Sequence, residues 1–235
     1  MVPRGDGVVY PPAPMITTLT RNLDSGWLLS MHLVPLPEGL LVYSPTRVGA
    51  DVWTRVEAAG KPSVIVAPNH FHHLSLTHFR EKYPEALAVC SDGARARLEA
   101  KGHKGVASLD AAAARLGPSV SLLPCPGLKT GETWVSVKGD AGTTLFVCDA
   151  FFNAPGPLSG VMGLVLRATR TAPGLRVGRT FRWLAVADRA RYAAWVDETL
   201  DALKPTRVLF SHGAPLEGAD VSAQLRAAMR EGLGL

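Results

Sequence analysis

Three short apolar runs in this chain stop abruptly on groups that can bind a cation or move a proton, and this pattern narrows the fold most. Ser63-Val64-Ile65-Val66-Ala67 gives way to Pro68-Asn69-His70-Phe71-His72-His73. Leu145-Phe146-Val147-Cys148 ends on Asp149, and Val208-Leu209-Phe210-Ser211 ends on His212-Gly213. Runs of this length, bounded by turn formers and rich in β-branched and aromatic residues, read as buried strands. A strand fixes the position of the residue at its end, and the following loop admits solvent. A metal or catalytic site needs both.

The remaining elements arrange themselves around these strands. Apolar runs over Trp27–Val34 and Gly39–Tyr43 flank a turn and read as paired strands. Asp51 can cap a helix to about Ala59, with Val52, Val56 and Ala59 on one face. Ser75–Lys82 reads as a helix, Ala86–Cys90 as a strand, and Asp92–Lys101 as a helix capped by Ser91 or Asp92. That is a β/α layer. Val120–Cys125, Thr133–Val137 and Thr144–Cys148 read as a β-meander, with turns at Pro126-Gly127 and between Gly139 and Gly142. A helix over Arg189–Leu203 stops at Lys204-Pro205, Arg207–Phe210 is the last strand, and Ser222 to about Leu233 is a closing amphipathic helix. The stretch 150–187, with several Gly and Pro and five arginines from Arg167 to Arg182, gives no clear periodicity. Residues 1–15 are rich in Pro and Gly and read as an irregular arm. With no linker in sight, 16–235 reads as one domain of two packed mixed sheets with helices outside.

Composition adds limits. The 235 residues are 47% hydrophobic and 19% charged, enough to bury a sizeable core. The formal charge of +5 is spread out; it permits an anionic ligand and argues against a nucleic-acid partner. Cys90, Cys125 and Cys148 are odd in number with no CxxC spacing, so they read as buried free thiols, not as a disulfide framework or a thiolate zinc site. No segment is long and apolar enough to span a bilayer, and the first residues lack a signal-peptide core, so the expected location is cytoplasmic. Oligomeric state is left open.

The chemistry concentrates in the histidines. His70 and His72, two residues apart, point to one side if their segment is extended, and can grip one cation. Imidazole nitrogen with carboxylate oxygen suits zinc, iron or manganese. The alternative is that these histidines are loop and helix-surface residues of no consequence. His78 reads as solvated on the following helix, and His32 and His103 as structural or exposed. Cys148 reads as a packing thiol. The arginines from Arg167 to Arg182 read as a solvated basic face, or else as the lining of a pocket for an anionic substrate.

The order of these motifs resembles the metallo-β-lactamase superfamily over roughly residues 16 to 230. That superfamily carries THxHxDH after a strand, GH after a β-rich region, GD after a later strand and a final GH or HG. His70 and His72 match the first two histidines, Asp149 the bridging aspartate, and His212 the last histidine. Pro124-Cys125-Pro126-Gly127-Leu128-Lys129-Thr130-Gly131-Glu132 has the shape of the PGHTPG segment. In more detail the chain is similar to a divergent branch with Val42-Tyr43-Ser44-Pro45, an Ala67-Pro68-Asn69 start to the histidine cluster, and Ser211-His212-Gly213 at the last strand. Three family ligands are replaced, at Leu74, Ser75 and Leu128.

The resemblance implies an α+β fold, an αββα sandwich of two mixed β-sheets flanked by helices. It implies one zinc or iron ion, or none, drawn from His70, His72, His73, Asp149 and His212. His70, His72 and Asp149 are the expected ligands, with His212 or His73 completing the set or orienting water. The catalytic residues stay unassigned. The function implied is a metallo-hydrolase with a degenerate site, acting on a small ester, thioester, lactone or phosphoester. The alternatives are a non-catalytic protein that binds a small ligand or partner in the former cleft, and an iron-dependent redox protein.

Overall fold

Strands that carry apolar side chains in both directions must be covered on both faces, and the chain does this by stacking two sheets and placing helices outside each. The computed structural model describes residues 15–22, 27–46, 51–154, 156 and 159–235. The expected N-terminal arm, Met15 aside, lies outside the described residues.

The first half builds one sheet. β1 (Thr17–Asn22), β2 (Leu28–Leu36) and β3 (Gly39–Tyr43) are antiparallel neighbours. α1 (Val52–Ala59) then crosses to β4 (Pro62–Val66), α2 (Leu76–Lys82) to β5 (Leu87–Cys90), and α3 (Asp92–Ala100) to β6 (Ala107–Ser108). Each crossover makes a parallel pair, so the order runs β1-β2-β3-β4-β5-β6. A 3₁₀ turn and the short α4 (Ala113–Leu116) lead to the second sheet. There β7 (Val120–Pro124), β8 (Thr133–Gly139) and β9 (Gly142–Val147) form the expected meander.

The stretch that gave no periodicity contains elements too short to show one. β10 (Phe152–Ala154) and β11 (Gly174–Arg176) form a separate two-stranded ribbon around α5 (Gly160–Ala168), and a π-helical turn covers Phe181–Ala185. The long α6 (Arg189–Leu203) follows, with Asp188 accepting the Arg191 N–H as its cap. α6 ends at Lys204 in the left-handed conformation, directly before Pro205. β12 (Arg207–Phe210) returns parallel to β9, β13 (Leu216–Glu217) pairs with β12, and α7 (Val221–Leu233) packs last against the outer face. The second sheet is ordered β13-β12-β9-β8-β7.

Alternation sorts the side chains into three layers. Leu41, Tyr43, Val64, Val66, Phe146 and Leu209 meet between the sheets. Their neighbours Leu40, Val42 and Ile65 face α1, α2 and α3, while Leu145, Val147 and Val208 face α6 and α7. The fold is therefore the αββα sandwich of two mixed sheets.

Two expected helix caps take other roles. The Asp51 side chain accepts no cap bond and lies 4.0 Å from Arg55. The Ser91 hydroxyl donates to the Gly131 carbonyl at 2.6 Å, tying the start of α3 to the second half of the chain. Cys90, Cys125 and Cys148 are buried and unpaired.

His32, read from sequence as structural or exposed, is buried between the sheets. Its Nε2 donates to the Phe210 carbonyl at 3.2 Å and its Nδ1 accepts from Thr18 Oγ1 at 3.0 Å. The ring stacks on Phe146 at 5.2 Å. Burial lowers its pKa from 6.5 to about 4. The unfolded chain therefore takes up this proton below 6.5, whereas the folded one resists it. The linked stability is full above pH 6.5 and drains as pH falls from 6.5 to about 4. His32→Gln keeps a donor for Phe210 and has no charge to gain. Urea denaturation from pH 7 to 4 should show the variant losing roughly 3 kcal/mol less stability than the parent. Parallel pH profiles would refute the assignment.

Candidate metal centre

The polar groups collect where the parallel strands end. After β4, Pro68 offers its carbonyl to the Thr133 N–H across the sheets at 2.7 Å. The fully buried Asn69 shapes the turn beyond it: its Oδ1 accepts the N–H groups of Phe71 and His72 at 2.8 and 3.1 Å. Its Nδ2 donates to Asp149 Oδ2 at 2.7 Å. One amide thus presents His72 and holds the carboxylate it faces. After β12, Gly213 adopts φ 131°, and a Cβ there would collide with the Asn153 carbonyl. This close approach places His212, whose carbonyl accepts the Asn153 N–H at 3.1 Å.

His72, Asp149 and His212 converge. Asp149 Oδ1 lies 3.3 Å from His72 Nε2 and 3.1 Å from His212 Nε2, and the two nitrogens are 2.9 Å apart. Among the described residues, no other three His, Cys, Asp or Glu side chains bring donor atoms within 4.8 Å of one another. Three donors on one tetrahedral ion, with bonds of about 2.1 Å, stand roughly 3.4 Å apart. The trio fits a single ion after opening by a few tenths of an ångström.

The hydrogen bonds of the trio define where its protons sit. Two ring nitrogens 2.9 Å apart have room for one N–H between them. The Trp27 indole N–H donates to His212 Nδ1 at 3.2 Å, which puts His212's own proton on Nε2, facing Asp149 and His72. His72 Nδ1 lies 2.8 Å from Ser44 Oγ, which can accept its N–H and leave Nε2 with a free lone pair. His72 is therefore set up as a ligand. His212 becomes one when its Nε2 proton leaves. Burial lowers the His212 pKa against the opposing hydrogen bond to Asp149. Burial also works against charge on His72, but Asp149 raises its pKa by charge and hydrogen bond. Asp149 is held well below the usual carboxylate range: burial opposes its charge, and His72 and His212 outweigh burial.

His70 and His73 do not join the trio. The residues after Pro68 form a turn instead of an extended segment, so the two rings expected to share one side diverge. His70 Nδ1 faces the Thr130 carbonyl at 3.1 Å, with Arg97 3.5 Å from Nε2. His73 bridges Lys101 Nζ and His103 Nε2, each at 2.9 Å. His103, which had no partner in sequence, also reaches Thr77. Leu74 is exposed, Ser75 is buried at the start of α2, and Leu128 pairs with Val186 and packs beneath α6.

Sequence reasoning passed over Glu132. This fully buried carboxylate accepts the Trp134 indole and the N–H groups of Cys148 and Ala150 on Oε1, at 3.0–3.2 Å, and that of Asp149 on Oε2 at 3.1 Å. Burial and the Asp149 charge push it up to about 7. The only sequence signal is an acid set between Gly131 and an apolar strand. Trp27 left no signal, lying 185 residues from the ring it touches.

The trio opens on a cavity of about 300 Å³ lined by Phe71, Thr130, Phe152, Phe181 and Leu184. A second hollow of about 380 Å³ reaches His72 and His212 from the side of Arg21, Thr46 and Leu74. Glu132→Gln would turn one acceptor oxygen into a donor aimed at backbone N–H groups. It should lower unfolding free energy by about 2 kcal/mol in urea denaturation, the usual cost of an unpaired buried group. A loss within experimental error would show that Glu132 does not hold the Asp149 loop.

No protein-family model and no curated protein matches the sequence. Solved structures match in shape. A metallo-beta-lactamase from Pontibacter korlensis shares 10% identity at a TM-score of 0.60, over 95% of this chain and 97% of that one. The metallo-beta-lactamase FIM-1 from Pseudomonas aeruginosa, in a mono-zinc form, shares 8% at 0.59, over 93% and 91%. The flavodiiron protein from Giardia intestinalis shares 14% at 0.61; 93% of this chain spans 58% of it. The two mixed sheets with their flanking helices agree with these matches: the chain has the metallo-β-lactamase fold.

Proposed function

We propose that this protein is a hydrolase that uses one metal ion held by His72, Asp149 and His212, and that it acts on small esters with an apolar acyl or leaving group. The observation that carries this reading is the convergence of three donor atoms within 3.3 Å on the floor of a cavity walled by Phe71, Phe152, Phe181 and Leu184. Two imidazoles and one carboxylate with an open side make up a catalytic zinc set, and they equally suit ferrous iron. Such an ion would supply Lewis acidity and the activation of a water near neutrality.

The chain's own residues supply the rest. Ser44 and Asn69 orient His72 and Asp149, and outer groups of this kind set ligand geometry. Trp27 and Phe152 stack on His212 at 5.4 and 5.6 Å and limit water on that side. The aromatic wall receives the apolar part of a substrate. The sequence places leucine at 74 and 128 and serine at 75, where the family pattern has ligands, which supports a one-ion, degenerate site. A single domain over 16–235, a cytoplasmic location and a small-molecule partner belong to the same reading. No helix among the described residues is long and apolar enough to cross a membrane.

Binding must expel the N–H shared by His72 and His212. Zinc titration by calorimetry in buffers of different ionisation enthalpy should give one ion and about one proton released per chain, with affinity falling as pH is lowered. Asn69→Ala should weaken it 10- to 100-fold, and His72→Ala should abolish it. Two tightly bound ions, or none, would refute the reading. Elemental analysis of protein purified without chelator separates zinc from iron.

The metal-loaded protein should hydrolyse a nitrophenyl ester and should not turn over nitrocefin usefully. Departure of a β-lactam nitrogen calls for a second positive centre, and no second group of three His, Cys, Asp or Glu donors within 4.8 Å of one another is present among the described residues. Efficient nitrocefin turnover lost in His72→Ala would overturn the substrate assignment. Ester turnover unchanged in His72→Ala would overturn the site.

A further inference from the structure

Beyond the metal cavity, four arginines line one small hollow. Arg170, Arg176, Arg179 and Arg182 surround it with Val177, Ala228, Glu231 and Gly232, and its volume is about 80 Å³. Glu231, the carboxylate of the lining, is committed to Arg176 by a 2.6 Å bond. Among the described residues no carboxylate pairs with Arg170, Arg179 or Arg182. The Arg182 Nε is buried without a hydrogen-bond partner. Four guanidinium groups against one carboxylate leave three uncompensated positive charges around a space far smaller than an organic-ligand pocket of about 300–1,000 Å³.

Packing fixes the backbone around the hollow and the Arg182 side chain, while Arg170 and Arg179 reach it from exposed positions. A Cβ at Gly232 would press on the Val177 backbone and side chain at 2.5–2.7 Å, so α7 lies directly against the strand that carries Arg176. A Cβ at Gly234 would lie 2.8 Å from Arg182 Nη1, so the end of α7 seats that guanidinium. The Arg179 N–H donates to the Thr169 carbonyl at 2.9 Å, which fixes the loop between them. Like charges held together by packing repel, and an anion relieves the cost. A guanidinium presents paired N–H donors that match two oxygens of a tetrahedral oxyanion.

From this arrangement we infer a second binding site, for a phosphate-class oxyanion, either inorganic phosphate or the phosphoryl end of a larger molecule. It is independent of the metal and of the proposed hydrolysis. It also adjoins them. Arg179 and Arg182 line the anion site, whereas Thr180, Phe181, Leu184 and Ala185, interleaved on the same segment, line the metal cavity. An anion between the arginines would brace that wall.

The test uses metal-free full-length protein, with chelator present, at fixed ionic strength. Inorganic phosphate, phenyl phosphate and sodium chloride are compared by thermal shift and calorimetry. Phosphate should raise Tm saturably with one site per chain, and chloride should not. Phenyl phosphate binding as well would identify a phosphoryl group as the ligand, and phosphate alone would identify the free ion. Arg179 is exposed, so Arg179→Gln should fold normally and weaken phosphate affinity about tenfold, the loss expected for a charged hydrogen bond. Arg179→Gln with Arg182→Gln should abolish it, and His72→Ala should leave it unchanged. The proposal is overturned if phosphate stabilises no more than chloride, if Arg179→Gln binds phosphate as the parent does, or if His72→Ala removes the binding.

Discussion

The central strands are covered on both faces, and this burial decides where polar chemistry can sit. β3, β4, β8, β9 and β12 carry apolar residues toward the opposite sheet and toward the outer helices, leaving no solvated face along their central residues. An ionisable group there would have to be desolvated without a partner. The groups therefore gather at the strand ends, where loops bring partners and solvent. Ser44 after β3, His72 after β4, Asp149 after β9 and His212 after β12 come from both sheets and meet at one edge of the sandwich. Bonds between the sheets fix that edge: Tyr43 Oη donates to the Thr133 carbonyl at 2.9 Å, and the Ser30 N–H to the Ser211 carbonyl at 2.8 Å.

Two neighbouring carboxylates, Glu132 fully buried and Asp149 partly so, show how the edge is balanced. Asp149 faces two imidazoles and stays ionised, whereas Glu132, with Asp149's charge beside it, is pushed up to about 7. Different surroundings drive the two pKa values apart, as happens where two carboxylates take different roles. Asp149 points its oxygens into the site. Glu132 points away and grips the backbone of residues 148–150, so the carboxylate that faces the ligands rests on one that does not. Both depend on packing that excludes water, because in water neither set of hydrogen bonds would hold its geometry.

Much of this was legible in the sequence, for a physical reason. Buried strands are written as apolar runs, and strand-end residues stand out against them. Asp149 and His212 could therefore be read, and the helices around them followed from ordinary periodicity. The choice within the histidine cluster could not. It turns on Asn69 accepting two backbone N–H groups, which makes 69–73 a turn and sends His70 toward Thr130 and Arg97 while His72 faces Asp149. The ribbon β10–β11 has three-residue strands, below the length at which alternation is visible. Glu132 and Trp27 act through partners remote in sequence, which no local pattern encodes.

The two parts of the site come from different parts of the chain, and this separates what each can change. The sandwich supplies the polar floor, and the segment between β9 and α6 supplies much of the apolar wall through Phe152, Phe181 and Leu184. That segment is pinned at both ends. At one end the Asn153 N–H reaches the His212 carbonyl, and at the other Lys129 and Ala187 donate to Ala185 and Gly127. The wall is thus hydrogen-bonded to the turn that carries His212 and to the loop leading to Glu132. In its middle Val177 and Phe181 are buried in the cluster with α6 and α7, but the outward side chains are freer: Val161, Leu164, Trp183 and Leu184 are exposed, and little apolar burial resists their movement. On the proposed reading, substitutions in that middle alter which substrates fit, and substitutions at its anchored ends alter the donor trio as well.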